Sequence, residues 1–347
     1  MKEFKLVTKK GSLPVELEKN KSDEPLLLFR TANECIESAK LKPVPKMLFS
    51  EFWHEDEICI LFADTNVGKS ILAVQIADSI SKGHSIYGFK MTAKCQKVLY
   101  FDFELSEKQF ENRYSENYQN HYSFFSNFFR IEINPRCVDF LDFEQKLFQE
   151  IEQAIINLGV KVLMVDNLTY LKAQTTETSK EALPLMKLLK DLKLKHDLSI
   201  LVLAHTPKRN HSSPININDI AGSRQLANFT DSAFAIGQSS QDKSYRYIKQ
   251  IKARATEKIY ESENVILCLI SKNNNFLGFE FVGFVNEGQH LAIPEAKTKD
   301  ELEKAILALK DDDPEISMYT IAQQLGTNKM KVKRVFERNG INTAKEE

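Results

Sequence analysis

Ala63-Asp64-Thr65-Asn66-Val67-Gly68-Lys69-Ser70 is the stretch on which the reading of this 347-residue chain turns. It follows the pattern G-x-x-x-x-G-K-[ST], with Ala63 in the place of the first glycine. The apolar run Ile58-Cys59-Ile60-Leu61-Phe62 before it predicts a buried strand. The stretch from Ile71 to Ile80 after it has apolar residues at helical spacing. Strand, loop and helix are the setting in which this pattern holds phosphate. Backbone N–H groups of residues 65–70 would cradle the β- and γ-phosphates, and the start of the helix adds its positive dipole end. Lys69 would reach the phosphate oxygens as a point charge, and the Ser70 hydroxyl would ligate Mg²⁺. The phosphate-contacting set is Ala63, Asp64, Thr65, Asn66, Val67, Gly68, Lys69, Ser70 and Ile71. A chance strand–turn–helix is the alternative, and the agreement of both flanks argues against it. Ala63 carries a Cβ and resists positive φ, so the loop is expected to enter its turn along a slightly different backbone.

The length suits one large domain with one or two small appendages. A net charge of −1 excludes a global basic field, so any nucleic-acid contact must come from local patches. The five cysteines (Cys35, Cys59, Cys95, Cys137, Cys268) form no C-x-x-C pair, which fits a reduced cytosolic protein and neither a disulfide framework nor a zinc site. The histidines show no ligand spacing. No run of about eighteen apolar residues occurs, and the N-terminus has no apolar leader, so secretion and membrane spanning are not expected.

Residues 1–46 are polar and punctuated by Gly11, Pro14, Pro25, Pro43 and Pro45. They read as an arm that docks on a neighbouring subunit, or as a partly ordered tail, with one short helix over 31–40 that Thr31 and Glu34 cap. The core is expected over 47–290. Gly83 reads as the C-cap of the phosphate-loop helix. Lys97 to Glu104 reads as a second buried strand ending in carboxylates, and 105–127 as an aromatic-rich helix carrying Phe110, Tyr114, Tyr118 and Tyr122. Phe143, Leu147, Ile151, Ile155 and Leu158 set a clear helical period that Gly159 ends. Lys161 to Asp166 is four apolar residues and then Asp, about 90 residues after the phosphate loop, the form of a second nucleotide-binding motif. Asp166 would hold Mg²⁺ through a water. The polar stretch 172–179 reads as a loop and 180–196 as a helix. Leu198 to His205 is a further buried strand, and 206–219 a long, locally basic loop. A short helix over 220–230 and strands near 231–236, 245–251, 265–270 and 277–285 follow. Strands alternating with helices, then strands in succession, predict an α/β fold with a mainly parallel sheet and an antiparallel edge.

Residues 299–347 differ. Helices are expected over 300–310, 318–325 and 328–338, with Asp311-Asp312-Asp313-Pro314 breaking the first. The last bears Lys329, Lys331, Lys333, Arg334 and Arg338. This small helical domain is helix-turn-helix-like, and its last helix would enter the major groove of duplex DNA. A helical bundle with a solvated basic face is the alternative.

With these strand ends in place, the chain resembles the RecA-like branch of P-loop ATPases. Within it the likeness is to RepA-like hexameric replicative helicases and related AAA-type ATPases of mobile elements, over about residues 47–285. The residues that carry it are Phe101-Asp102-Phe103-Glu104, Val165-Asp166-Asn167-Leu168, Leu203 to Lys208, Ala221-Gly222-Ser223-Arg224 leading to Asp231-Ser232, and Lys252-Ala253-Arg254. The resemblance implies catalytic roles. Glu104 would be the general base that orients the attacking water, with Asp102 as a competing candidate and a helix-cap carboxylate as the plain alternative. His205 would sense the γ-phosphate, unless it is a capping or core histidine. Lys252 and Arg254 match a K-x-R pair that reaches into the neighbouring subunit's site alongside Lys69, unless they form a solvated strand end. Loops 172–181 and 206–220 would line a central channel, where Lys208 and Arg209 would touch single-stranded DNA. ATP and Mg²⁺ are the implied cofactors. The implied assembly is a cytoplasmic homo-oligomeric ring, a hexamer, acting on DNA as a helicase or remodelling motor in replication or mobilisation of a plasmid or other mobile element. An ATP-switched DNA-binding regulator without unwinding is the other reading.

Overall fold

The computed structural model describes residues 27–134, 143–167, 182–207, 209–220, 224–292, 295–314, 316–325, 327 and 329–341. The expected loop 172–181, Lys208, Ala221-Gly222-Ser223 and Cys137 lie outside them. The chain divides into two compact units, Met1–Val44 and Pro45–Glu347. In the first, α1 (Ala32–Lys40) starts at the capping box expected of Thr31 and Glu34: each side chain bonds the other residue's backbone N–H. None of its residues is buried.

The second unit is built on a nine-stranded sheet. Two short antiparallel strands, β1 (Met47–Phe49) and β2 (Trp53–His54), lead into β3 (Ile58–Ala63), the strand before the phosphate loop. Then come α2 (Lys69–Lys82), β4 (Val98–Asp102), α3 (Glu107–Arg113), a small hairpin of β5 (Ser115–Glu116) and β6 (Asn120–His121), and β7 (Phe128–Ile131). Next are α4 (Phe143–Leu158), β8 (Val162–Asp166), α5 (Ala182–His196), β9 (Ser199–His205) and α6 (Arg224–Phe229). Four strands close the sheet: β10 (Ser232–Gln238), β11 (Tyr245–Lys252), β12 (Val265–Asn273) and β13 (Phe276–Val285). The order across it is β13-β12-β11-β10-β3-β9-β8-β4-β7. From β10 to β7 every neighbour is parallel, and β10 to β13 are antiparallel. The sheet is thus mainly parallel with an antiparallel edge, as the alternation of strands and helices predicts.

Both faces of the sheet are covered, which is why its central strands read as unbroken apolar runs. Along β3, Cys59, Leu61 and Ala63 face the core under α2, while Ile58, Ile60 and Phe62 face the core shared with α4, α5 and α6. Each buried Ile, Leu or Phe among them contributes about 1.5–3 kcal/mol when taken from water. Gly83, with φ of 72°, ends α2, and Gly159, with φ of 62°, follows α4.

One element departs from expectation. The helix expected over 105–127 ends at Tyr114. Asn117 and Tyr118 take positive φ, 51° and 58°, and close the turn between β5 and β6. Tyr122 and Phe124 then fold back onto Tyr114, and the Tyr122 N–H bonds Tyr114 O. Phe110 and Tyr114 keep helical spacing at the end of α3, whereas Tyr118 and Tyr122 extend that spacing along a returning hairpin.

The C-terminal region is helical: α7 (Glu295–Asp312), α8 (Met318–Gln324) and α9 (Lys329–Arg338). They share a small core of Ile306, Met318, Ile321, Val332, Val335 and Phe336. The first helix runs through Asp311 and Asp312 and stops before Pro314, whose ring disfavours helix in the residue preceding it. Among the described residues, no helix is long and apolar enough to cross a membrane.

Candidate active site

Four parallel strands deliver the site. The phosphate loop follows β3, Glu104 follows β4, Asp166 ends β8 and His205 ends β9. These strands are adjacent in the order β3-β9-β8-β4, and Ala63 pairs with His205 and Asp102 with Asp166. The chemistry therefore gathers at their C-terminal ends, the place where open parallel sheets bind ligands.

Ala63 lies within β3, paired to His205 on one side and Ile236 on the other. Its backbone is extended rather than at positive φ, so a Cβ costs nothing there. The positive φ angles fall at Asn66 (62°) and Gly68 (111°). A Cβ on Gly68 would stand 2.9 Å from Ile270 Cδ1 and 3.0 Å from Phe279 Cζ, so both conformation and crowding require glycine. Arg246, buried on β11, donates from Nε to Val67 O at 2.7 Å and braces the loop from below.

The Lys69 ammonium donates to Ala63 O and Asp64 O, both at 3.0 Å, and lies 3.2 Å from His205 Nδ1. Burial lowers its pKa, and Asp166, Glu104 and Asp64 oppose that. Asp166 is 1 % exposed. Burial pushes its carboxyl up to about 6, against hydrogen bonds from Ser70 and Tyr100, the latter at 2.6 Å. Glu104 is set differently. It is partly exposed, it accepts from Asn167 Nδ2, and its Oε1 lies 3.5 Å from His205 Nε2. The hydrogen bond with His205 holds its pKa below the usual carboxylate value, so it is ionised at neutral pH. Asp102, the competing candidate, is occupied: it pairs with Arg130 Nε at 2.9 Å and accepts the Glu104 and Leu105 N–H groups. That geometry leaves Glu104 as the carboxylate facing the loop.

His205 thus bridges the two sides, with Nδ1 toward Lys69 and Nε2 3.1 Å from Asn167 Nδ2. Three further residues join the site that were given no role from the sequence, although Asn167 and Thr206 stand within stretches that carry the resemblance. Asn167 follows Asp166 directly, and its position was the available signal. Thr206 follows His205, and its hydroxyl bonds Asp64 Oδ1. Arg113, on α3, carries a buried Nη1 with no hydrogen-bond partner and acts electrostatically on Glu104. A buried guanidinium nitrogen without a partner suits an anionic ligand.

The remaining candidates sit elsewhere. Lys252 donates to Ala227 O and Thr230 O, both at 2.6 Å, at the end of α6. Arg254 is exposed and pairs with Asp231 at 2.9 Å. Lys252 stands opposite Ala233, which pairs with Ile60, whereas the phosphate loop begins beyond Ala63. The K-x-R pair is therefore at the other end of the sheet from its own chain's loop. Arg209 requires a correction. It was expected to reach DNA, but its side chain is only 6 % exposed and its Nε donates to Asp64 Oδ2 at 3.3 Å. An arginine held inward by a carboxylate is not offered to a strand in solvent. Lys329, Lys331 and Arg334 are exposed on α9, and Lys333 is half-buried.

The donor set fits a magnesium nucleotide. Ser70 and Asp166 supply hard oxygens, and Lys69 and Arg113 supply cationic nitrogens. Among the described residues, no group of three or more His, Cys, Asp or Glu side chains forms a metal cage of its own.

Residues 26–211 match the AAA_25 family model, described as an AAA domain, over more than half of the chain. The chain belongs to this AAA domain family. It is a P-loop ATPase by family and by the setting of its loop. No curated protein matches it. Among solved structures, it is similar to a KaiC-like protein from the hyperthermophilic archaeon Pyrococcus horikoshii OT3. That likeness has 12% identity and a TM-score of 0.42 and covers 66% of this chain and 91% of that one.

Proposed function

We propose that the chain hydrolyses ATP in a homo-oligomeric ring, as a RepA-like helicase or DNA-remodelling motor serving replication or mobilisation of a plasmid or other mobile element. One observation carries the reading. Lys69, Ser70, Glu104, Asp166 and His205 arrive from four different strands at one crevice. In this reading Lys69 and Arg113 bind the phosphates, and Ser70 and Asp166 hold Mg²⁺, which supplies charge neutralisation at the transferring group. Glu104, ionised and facing the loop, orients the attacking water and takes its proton. His205 touches Lys69 on one side and Glu104 on the other, so it registers whether the crevice holds a terminal phosphate. Lys252 and Arg254 serve the next subunit's site. Single-stranded DNA would pass the loops after β8 and β9. Duplex DNA would meet Lys329, Lys331, Lys333 and Arg334 on α9. A cytoplasmic place for the ring belongs to the same proposal.

A second reading has its own support. The helices α7 to α9 bury a core separate from that of the sheet, as a self-standing recognition module would. There the ATPase sets only the assembly state of a DNA-binding regulator.

Steady-state ATP hydrolysis separates the two. It is measured at about 0.1 M salt, held fixed because phosphate contacts weaken steeply with salt. Lys69→Ala is the blank, and single-stranded and duplex DNA are added in turn. The motor predicts strong stimulation by single strands. Slow turnover indifferent to DNA, with duplex binding retained, means the regulator. Turnover unchanged in Lys69→Ala would sink both.

A further inference from the structure

Asp64 is an acid in a loop built for anions, and phosphate contact alone gives its side chain no task. A carboxylate so placed repels the ligand unless a cation neutralises it. Beyond the nearby charge of Lys69, the side-chain partners of the Asp64 carboxylate come from a single segment. Its Oδ1 accepts the Thr206 hydroxyl, its Oδ2 accepts Arg209 Nε at 3.3 Å, and His211 Nδ1 lies 3.6 Å from the same oxygen. These three residues fall within the six positions after His205. Arg209 is itself firmly seated: it also donates to Ser213 O at 3.2 Å.

The backbone explains why such a tether matters. The ladder between β3 and β9 ends at Ala63 and His205, with one more bond from Thr206 N to Ala63 O at 3.2 Å. Pro207 follows and has no N–H to continue it. His205 is therefore the last strand residue before an irregular loop, yet its ring must keep Nδ1 at 3.2 Å from Lys69 while Nε2 faces Glu104 and Asn167. Side-chain bonds to Asp64 hold the loop where strand pairing stops.

We propose that Asp64 is a positioning residue: by pinning Thr206 and Arg209 it fixes the His205 ring between Lys69 and Glu104 and makes Thr206, Arg209 and His211 move with the phosphate loop. The inference rests on the ATP-hydrolysing reading of the same crevice. Asp64→Asn keeps the shape and one acceptor but removes the counter-charge of Arg209. The buried guanidinium then seeks water, and the segment leaves with it.

The test uses the full chain, with Asp64→Asn, Arg209→Gln and the double variant, and Lys69→Ala as the blank. Each single change lowers kcat for ATP on the order of tenfold to a hundredfold, the usual cost of misplacing a site group by about an ångström. KM changes little, because the backbone amides that bind phosphate stay in place. The double variant is no worse than the worse single, since both break one contact. Trypsin cleaves after Arg209 faster in nucleotide-free Asp64→Asn than in the unmodified chain. Losses that add in the double variant, or full turnover in Asp64→Asn, overturn the inference. If the unmodified chain shows no turnover above the blank, the proposed function falls and the trypsin comparison decides alone: equal cleavage rates overturn the tether, and faster cleavage in the variant upholds it.

Discussion

Asp166 has given up nearly all contact with water for a place between Ser70 and Tyr100. Its carboxyl rises from 3.8 to about 6 because burial, helped by Glu104 and Asp102, outweighs the two hydrogen bonds. The folded chain thus holds this proton more tightly than the unfolded one. The stability this provides is complete below about pH 4 and is lost as pH climbs through about 6. The gap corresponds to about 3 kcal/mol at neutral pH. Asp166→Asn is therefore expected to raise the melting temperature of the nucleotide-free, magnesium-free protein at pH 7, with the gain vanishing near pH 4. Thermal melts at both values check this. A lower midpoint at pH 7 would mean that the hydrogen bonds outweigh the burial. Such a charge, costly until a cation arrives, is expected at a binding site rather than in a structural core. The sequence made Asp166, Glu104 and His205 legible because each stands where an apolar run stops. It could not reveal that Asp64 meets Arg209, 145 positions away, or that Arg113 keeps a buried nitrogen without a hydrogen-bond partner. Those contacts depend on which strand ends become neighbours, and no local pattern encodes that.

At the scale of elements, β13 is fastened to α2 by one side chain. Gln75 donates from Nε2 to Phe279 O at 3.0 Å and accepts the Phe279 N–H at 2.8 Å, as a strand partner would. Phe279 in turn closes over Gly68, so this clamp seats the antiparallel edge against the phosphate loop. Gln75→Ala leaves both backbone groups without that partner and is expected to cost about 1–3 kcal/mol. Urea unfolding measures the loss, and nucleotide affinity should fall with it. An unchanged midpoint would show that pairing with β12 suffices to hold the strand. The parallel strands were readable because burial on both faces leaves continuous apolar runs, as in β3, β8 and β9. The stretch after Glu104 was not, because Tyr118 and Tyr122 continue by coincidence the spacing that Phe110 and Tyr114 set at the end of α3. Only the positive φ at Asn117 and Tyr118 distinguishes the hairpin, and neither residue type demands it. The clamp itself had no signature, since a glutamine on a helix is ordinary.

For the whole molecule, the position of Lys252 and Arg254 poses the question of assembly. Lys252 is level with Ile60 and the loop begins past Ala63, so the pair stands about 10 Å or more from its own site along the strands. Within one chain Arg254 is engaged with Asp231, in a pair whose arginine is 57% exposed. An exposed pair of this kind contributes only about 0–1 kcal/mol, so a better anion readily takes the guanidinium away. If that anion is a nucleotide, it must belong to another subunit, joined head to tail through unlike surfaces. Arg254→Ala and Lys69→Ala then damage different halves of a shared site. Each variant alone should be inactive. Mixed in equal amounts, about a quarter of the interfaces would join an intact Lys69 to an intact Arg254 under random head-to-tail assembly. Activity should return to a comparable fraction of the unmodified rate, and Lys252→Ala should complement Lys69→Ala in the same way. The mixing is read with differently tagged subunits, so that co-purification proves that hybrids exist. Hybrids that form and stay inactive at every ratio would place Arg254 in a structural pair with Asp231 and leave each site to a single chain.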